Sequence, residues 1–179
     1  MRLLNLPNTL TVARIIIIPV FITAVMYERH RYALALFVVA ALTDILDGFI
    51  ARLTNQKTAL GQFLDPLADK FLLVSSFILF SIQGWVPLWL TITVISRDLI
   101  VVIGWVLLYL LTHRVTIEPV LLGKTAIALQ LITLSLVLLS INLHSIIPQQ
   151  QVLFAVTAAA TGVSGIQYIY KGLRLADAI

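Results

Sequence analysis

The chain contains no cysteine among its 179 residues, and charged residues make up only 11% of it. Without cysteine, disulfide bonds and thiol chemistry are excluded, and the redox state of the compartment stays open. Internal repeats, low-complexity tracts and long linkers are also absent, so we expect a single domain over residues 1–179. Hydrophobic residues make up 60% of the sequence and the mean hydropathy is +1.04, which is typical of a membrane protein and outside the soluble range.

Six stretches are long and apolar enough to cross about 30 Å of hydrocarbon as helices of about 20 residues, if polar residues are allowed inside a bundle. They are Thr9–Tyr27, Tyr32–Leu53, Gly61–Gln83, Val86–Thr112, Val120–Asn142 and Gln151–Tyr170. The breaks between them carry charged residues, glycine or proline, as interhelical turns do. The sequence therefore predicts an all-α integral membrane protein, a bundle of six transmembrane helices.

The distribution of lysine and arginine predicts the orientation of this bundle, because cytoplasmic loops are enriched in both. With six spans both termini share one side, and that side collects nine cations against two, Arg29 and Arg31, on the other. The nine are Arg2, Arg14, Arg52, Lys57, Lys70, Arg114, Lys124, Lys171 and Arg174. We therefore expect cytoplasmic termini, and we assign the net charge of +4 to a rim that faces anionic lipid rather than to nucleic acid.

Four aspartates, half of all acidic residues, fall within 26 residues of otherwise apolar sequence. They are Asp44, Asp47, Asp65 and Asp69, at the predicted cytoplasmic ends of the second and third helices. A carboxylate near the centre of a bilayer costs roughly 2.5–3.5 kcal/mol on insertion scales, and four together repel one another. Divalent cations such as Mg²⁺, Mn²⁺ or Ca²⁺ are the simplest means of holding them together.

The spacing of these aspartates lets them meet. Residues three or four apart share a helix face, so each pair lies on one stripe, and a short loop makes the two helices antiparallel neighbours. Small residues accompany the acids at positions 48, 51 and 61, where a nucleotide could approach the backbone. Arg52 carries a planar guanidinium suited to phosphate oxygens. Two cations at such a site would clamp the oxygens of a phosphoryl displacement.

Other interpretations of the acids remain open at this point. Isolated intramembrane aspartates serve in proton relays, and an ion-coupled carrier would use them to bind its coupling ion. Structural ion pairs could also account for some of them, with Arg14, Lys70, Arg97 or Lys124 as the partner. A carrier would be expected to show matching polar interruptions in both halves, whereas here they concentrate in the second and third helices.

The string D-x2-D-G-x2-A-R-x8-G-x3-D-x3-D, which begins at Asp44 and ends at Asp69, resembles the signature of the CDP-alcohol phosphatidyltransferases in every fixed residue and spacing. The resemblance implies a metal-dependent membrane enzyme that transfers a phosphatidyl group from CDP-diacylglycerol to a hydroxyl and releases CMP, in phospholipid biosynthesis. It also implies a homodimer. We expect a bacterial cytoplasmic membrane, with the active site facing the cytoplasm.

By position, the resemblance assigns roles to the residues of the string. Asp44, Asp47, Asp65 and Asp69 are implied to hold two divalent cations, Mg²⁺ or Mn²⁺. Asp69 is also implied to be the general base that takes the proton of the acceptor hydroxyl. The positions around the cytidine diphosphate moiety are Gly48, Ala51, Arg52 and Gly61.

Two buried cations are candidates for binding the acceptor. Arg97 lies mid-helix beside Asp98, and Lys124 follows Gly123 at the start of the fifth helix. Together they would form a pocket that binds an anionic acceptor. Alternatively, Arg97 forms a structural ion pair with Asp98, and Lys124 is a lysine of the cytoplasmic rim.

The acceptor itself is either phosphatidylglycerol or sn-glycerol-3-phosphate. Arg97-Asp98, with no second arginine in the helix after it, is similar to cardiolipin synthases and favours phosphatidylglycerol. Gly123-Lys124 is similar to phosphatidylglycerophosphate synthases and favours glycerol-3-phosphate. We expect phosphatidylglycerol.

Overall fold

The computed structural model describes the backbone of residues 6–54, 59–112, 121–143 and 150–176, and side chains within 13–43, 70–104, 106–107, 121–143 and 150–174. Every regular element in these ranges is an α-helix and none is a strand, which confirms the all-α prediction and the six helices. The helices are Leu6–Met26 (α1), His30–Thr54 (α2), Ala59–Ile82 (α3), Leu88–Thr112 (α4), Leu121–Leu143 (α5) and Gln150–Ala176 (α6).

The helix ends differ from the predicted spans by a few residues, for local reasons. Helix α4 begins at Leu88 rather than Val86, directly after Pro87, whose carbonyl accepts the amide of Leu90 at 3.1 Å. Helix α6 continues six residues past Tyr170 to Ala176. This extension contains Lys171 and Arg174, which hydropathy excludes from a span, and Arg174 lies in the last turn, where the helix dipole favours a cation.

The turn between α1 and α2 is closed by a Schellman motif. The amide of Arg29 donates to the carbonyl of Ala24 at 2.8 Å, and the amide of Glu28 donates to that of Val25 at 3.1 Å. Glu28 occupies the left-handed region with φ of 57°, the position usually taken by glycine. The motif satisfies the last carbonyls of α1 at the cost of an unfavourable backbone conformation for a residue with a side chain.

The helices form two compact units, to both of which α5 contributes. In the first unit, α1 packs against α2 and α3. Its core is aromatic: the ring of Phe21 lies 5.8 Å from that of Phe37 and 6.4 Å from that of Phe80, centroid to centroid, in tilted geometries. Tilted aromatic pairs at these separations are favourable beyond the area they bury.

In the second unit, α4 packs against α6, and side-chain hydrogen bonds join α5 to α6. Gln130 donates to Thr161 at 3.0 Å, and the hydroxyls of Thr133 and Thr157 lie 2.7 Å apart. All four side chains are fully buried. Interhelical hydrogen bonds of this kind stabilise helix pairs where water is absent.

Each unit has polar groups inside and large apolar side chains outside. Buried polar residues include Arg14 and Ser76 in the first unit and Arg97 in the second, whereas the exposed surface of α4 carries Leu99, Val102, Ile103 and Leu107. By length and hydropathy, two helices in the described part of the chain qualify as membrane spans, Leu121–Leu143 and Gln150–Arg174.

Candidate active site

The backbone places the four aspartates on the two helices that flank residues 55–58. Asp44 and Asp47 lie in the last three turns of α2, and Asp65 and Asp69 in the first three turns of α3. At about 100° per residue, each pair falls within one side of its helix. Their side chains lie outside the described residues, as do those at the four positions predicted to surround cytidine diphosphate, Gly48, Ala51, Arg52 and Gly61.

The donor chemistry of these positions suits a hard divalent cation, because carboxylate oxygens are the ligands that Mg²⁺ and Mn²⁺ prefer. In the part of the chain whose side chains are described, no three His, Asp or Glu residues form another group able to hold a metal ion. The metal assignment to Asp44, Asp47, Asp65 and Asp69 therefore stays a prediction, and no described cluster competes with it.

Arg97 is the centre of a second polar cluster, in the second unit. Its side chain is buried with 5% of its surface exposed, and Nη1 donates to Oδ1 of Asp98 at 2.8 Å. Nη2 donates to Oγ of Ser164 at 2.9 Å, and the guanidinium carbon lies 5.3 Å from the ring centroid of Tyr168. The ion pair with Asp98, considered above as an alternative to acceptor binding, is therefore present, and two residues of α6 hold Arg97 as well.

Two glycines lie against this cluster, and at one of them, Gly123, a side chain would be crowded. A Cβ on Gly123 would lie 3.0 Å from the hydroxyl of Tyr168 and 3.1 Å from Nη2 of Arg97. A Cβ on Gly165 would lie 3.4 Å from Cγ of Arg97. The first turn of α5 thus approaches Arg97 and Tyr168 more closely than a residue with a side chain allows without a shift of its neighbours.

Lys124, the other predicted acceptor ligand, follows Gly123 in this turn and is exposed, so the expectation that it is buried is wrong. Among the described residues it makes no hydrogen bond or ion pair. The first turn of α5 thus lies against Arg97 at Gly123, while the role of Lys124 in binding the acceptor stays a prediction.

Ser164 and Tyr168 were not among the predicted site residues, but both contact Arg97, Ser164 by a hydrogen bond and Tyr168 by a cation–π contact. A signal for them exists in the sequence. Thr157, Thr161, Ser164 and Tyr168 are spaced by four, three and four residues, which is one continuous stripe along α6. Three of the four are fully buried, and every one contacts a polar side chain of α4 or α5.

Two cavities of the described part lie away from these residues. One, of about 610 Å³, is bordered by α1 and α2 around Tyr27 and Tyr32, at the opposite end of α2 from Asp44. The other, of about 560 Å³, lies around Trp85 and Trp89. Neither contains a residue predicted to belong to the active site.

Comparison with known proteins identifies the family. Residues 4–163 match the family model of the CDP-alcohol phosphatidyltransferases. The chain belongs to this family. It is therefore an enzyme, a CDP-alcohol phosphatidyltransferase of phospholipid synthesis, and the alternative of an ion-coupled carrier is wrong. Members of the family generally use divalent metals.

Similar CDP-alcohol phosphatidyltransferases carry two different names. The chain is 34% identical to the CDP-diacylglycerol–glycerol-3-phosphate 3-phosphatidyltransferase of Aquifex aeolicus, over 96% of this chain and 98% of that protein. It is 33% identical to the cardiolipin synthase (CMP-forming) of Rattus norvegicus and 32% identical to that of Homo sapiens, in each case over 98% of this chain and 64% of the relative. Identities this close do not distinguish the two acceptors.

Proposed function

We propose that the protein transfers the phosphatidyl group of CDP-diacylglycerol to a hydroxyl of phosphatidylglycerol, forming cardiolipin and CMP. The hydroxyl oxygen attacks the phosphorus of the phosphatidyl group, a new P–O bond forms, and the P–O bond to CMP breaks. The hydroxyl proton passes to a base of the enzyme, and CMP leaves with the electron pair of the broken bond.

Family membership and the intact aspartate string support the donor half of this reaction. Asp44, Asp47, Asp65 and Asp69 would hold two divalent cations, Mg²⁺ or Mn²⁺, which supply positive charge to the pyrophosphate and to the departing CMP. Arg52 would bind phosphate oxygens through its planar fork of N–H groups. Gly48, Ala51 and Gly61 would leave room for cytidine diphosphate against the helix backbones.

Asp69 would accept the proton of the acceptor hydroxyl as general base. It is the last acid of the string and lies three turns into α3 from Ala59. A carboxylate in hydrogen-bond reach of the hydroxyl can both orient the nucleophile and receive its proton. Orientation of nucleophile and phosphorus is where most of the rate gain of such a transfer arises.

The pairing of Arg97 with Asp98 is the observation that supports phosphatidylglycerol as acceptor. The two charges lie 2.8 Å apart with side chains at most 9% exposed, so they largely cancel within the cluster. A phosphodiester carries one negative charge, whereas the phosphate of glycerol-3-phosphate carries up to two near neutral pH. An arginine already paired with a carboxylate favours the acceptor of lower charge, with Lys124 as the second cation.

A second candidate acceptor, sn-glycerol-3-phosphate, is supported by different observations. The Aquifex aeolicus relative, whose name specifies glycerol-3-phosphate, matches over nearly its whole length, whereas the cardiolipin synthases extend well beyond the match. Gly123-Lys124 agrees with this acceptor as well. The protein would then be a phosphatidylglycerophosphate synthase.

We further propose a single membrane domain of six spans with both termini in the cytoplasm, in a bacterial cytoplasmic membrane, acting as a homodimer. Apolar side chains outside and polar ones inside each unit support immersion in lipid, because a soluble protein has the reverse distribution. The excess of lysine and arginine on one side supports the orientation, which turns the aspartates towards the cytoplasm.

Release of CMP from CDP-diacylglycerol by the purified protein in detergent tests the function. Mg²⁺ or Mn²⁺ is supplied, and phosphatidylglycerol and glycerol-3-phosphate are offered in separate reactions. Release with phosphatidylglycerol alone is the expected result. Release with glycerol-3-phosphate alone would replace the proposed acceptor by the second candidate, and release with neither would contradict both.

A further inference from the structure

The orientation of Arg97 is fixed by residues on a different helix. An arginine side chain has four rotatable bonds, and a contact with Asp98, its neighbour in sequence, constrains mainly one end of the guanidinium. The bond from Nη2 to Ser164, 2.9 Å long, adds a second anchor from α6. With Nη1 and Nη2 each bound to an oxygen, the plane of the guanidinium is defined.

Tyr168 also contacts the guanidinium, through its aromatic ring. The guanidinium carbon lies 5.3 Å from the centroid of its ring, within the range of a cation–π contact. A cation–π contact supplies no acceptor oxygen to the N–H groups of the guanidinium. Among the described residues, Nε of Arg97 has no hydrogen-bond partner, and Nη1 and Nη2 each use one of two hydrogens. Three of the five N–H groups thus make no hydrogen bond to a described residue.

We propose that Ser164 and Tyr168 are positioning residues that hold Arg97 for the phosphate of the acceptor, and that Gly123 supplies the space this arrangement requires. The inference rests on the proposed function, in which Arg97 binds the acceptor. Ser164 and Tyr168 act through Arg97 and need not touch the substrate. A phosphate group has the oxygens that the three remaining N–H groups would bind.

Gly123 of α5 lies against the same two side chains, Arg97 and Tyr168. A methyl group at this position would meet the hydroxyl of Tyr168 at 3.0 Å and Nη2 of Arg97 at 3.1 Å. Both atoms belong to the arrangement that orients the guanidinium, so a larger residue would displace one of them. Gly162 on α6 is a matched control, because nothing lies within 4 Å of a Cβ placed there.

The test measures KM for the acceptor, KM for CDP-diacylglycerol and kcat in purified variants. Removal of the ring by Tyr168→Leu should raise the acceptor KM about 3- to 30-fold, the range between an exposed and a desolvated cation–π contact, with the donor KM within about twofold. Tyr168→Phe keeps the ring and should stay within about twofold of the wild type in both constants. Tyr170→Leu, which removes an exposed ring two residues away, is the control and should change neither.

Two further substitutions probe the same geometry without removing the ring. Ser164→Ala and Gly123→Ala should each raise the acceptor KM while leaving the donor KM unchanged, and Gly162→Ala should raise neither. In an Arg97→Lys background, Tyr168→Leu should add little to the acceptor KM, because the planar group that the ring supports is already absent.

The outcomes separate this inference from the proposed function. If the wild type turns over but Tyr168→Leu, Ser164→Ala and Gly123→Ala change both KM values equally or change neither, the positioning roles are wrong and the reaction stands. If the wild type releases no CMP with either acceptor, the proposed function is wrong and the inference falls with it. If Tyr168→Leu fails to fold, the acceptor KM values of Ser164→Ala and Gly123→Ala decide whether the positioning roles hold.

Discussion

Arg97 on α4 and Ser164 on α6, 67 residues apart in sequence, are joined by a 2.9 Å hydrogen bond from Nη2 to Oγ. The bond is buried, and a hydrogen bond to a charged donor is stronger than one between neutral groups. It therefore ties the packing of α4 on α6 to the orientation of a cation proposed to bind substrate. A substitution in either helix that disturbs this bond should therefore weaken acceptor binding more than donor binding.

Replacing a metal-binding carboxylate by its neutral isostere should abolish turnover. Asp65→Asn keeps the shape of the side chain but removes the charge that the cations require. We expect CMP release to fall by at least about 100-fold, the order seen when a single electrostatic group of an active site is removed. The thermal unfolding of the detergent-solubilised protein should remain cooperative. Retained activity in a folded protein would overturn the metal assignment.

A matched control for this substitution is Glu28→Gln. It also neutralises an acid without changing its shape, but at an exposed turn between α1 and α2. Its CMP release should equal that of the wild type. A fall similar to that of Asp65→Asn would point to a general effect of lost negative charge.

Lys124→Ala should weaken acceptor binding selectively. An exposed charge contributes about 1 kcal/mol or less, so the acceptor KM should rise by up to about fivefold. The KM for CDP-diacylglycerol should change less, and the effect should shrink at high ionic strength because salt screens exposed charges. Lys171→Ala on α6 removes another cation and should not shift the acceptor KM. Equal increases in both KM values for Lys124→Ala would remove this residue from the acceptor pocket.

The buried threonine pair of α5 and α6 should contribute measurably to stability. Thr133 donates its one hydroxyl hydrogen to the carbonyl of Leu129 at 2.8 Å, so Thr157 is the donor in the 2.7 Å pair. Thr157→Val should lower the free energy of unfolding by about 0.6–1.7 kcal/mol, measured by titration with a denaturing detergent in mixed micelles.

A double-mutant cycle with Thr133→Val then isolates the pair. The combined loss should be smaller than the sum of the two single losses, because each single change already breaks the same bond. Thr93→Val, whose hydroxyl donates to the carbonyl of Trp89 in its own helix, is the control. Strict additivity in the cycle would mean that the two hydroxyls do not stabilise each other.

Glycine at position 28 should stabilise the turn after α1. Glu28 has φ of 57° at the left-handed position of the Schellman motif, where glycine carries no penalty from a Cβ. Glu28→Gly should raise the free energy of unfolding by up to about 1–2 kcal/mol, the penalty that a Cβ brings in the left-handed conformation. Glu28→Ala keeps the Cβ and should bring no such gain. An equal gain from both substitutions would trace the effect to the lost charge instead of the backbone.

Composition and hydropathy predict the helices well because each long apolar run must satisfy its own backbone hydrogen bonds. The ends are harder to predict, since local groups determine them. Pro87 delays the start of α4, and Lys171 and Arg174 belong to α6 although they are polar. Hydropathy measures transfer to lipid, whereas a helix continues as long as its hydrogen bonds and terminal charges allow.

The candidate site, too, can be predicted from the sequence only in part. The aspartates are visible in the sequence because four acids at helical spacing in apolar segments repel one another unless cations lie between them. Ser164 and Tyr168 are ordinary residues when taken singly, and only their register with Thr157 and Thr161 along α6 indicates a common face. That this face contacts Arg97 depends on the packing of α4 on α6, which no local pattern encodes.

Gly123 restricts the order in which related sequences can change. With Tyr168 and Arg97 in place, a serine or alanine at 123 meets two side chains at once, about 3 Å away. The same substitution becomes acceptable once residue 168 has lost its ring, or once the residue at 97 is shorter. Positions 97, 123 and 168 should therefore vary together among descendants of a common ancestor, and a sequence with a larger residue at 123 should carry a compensating replacement at one of the other two.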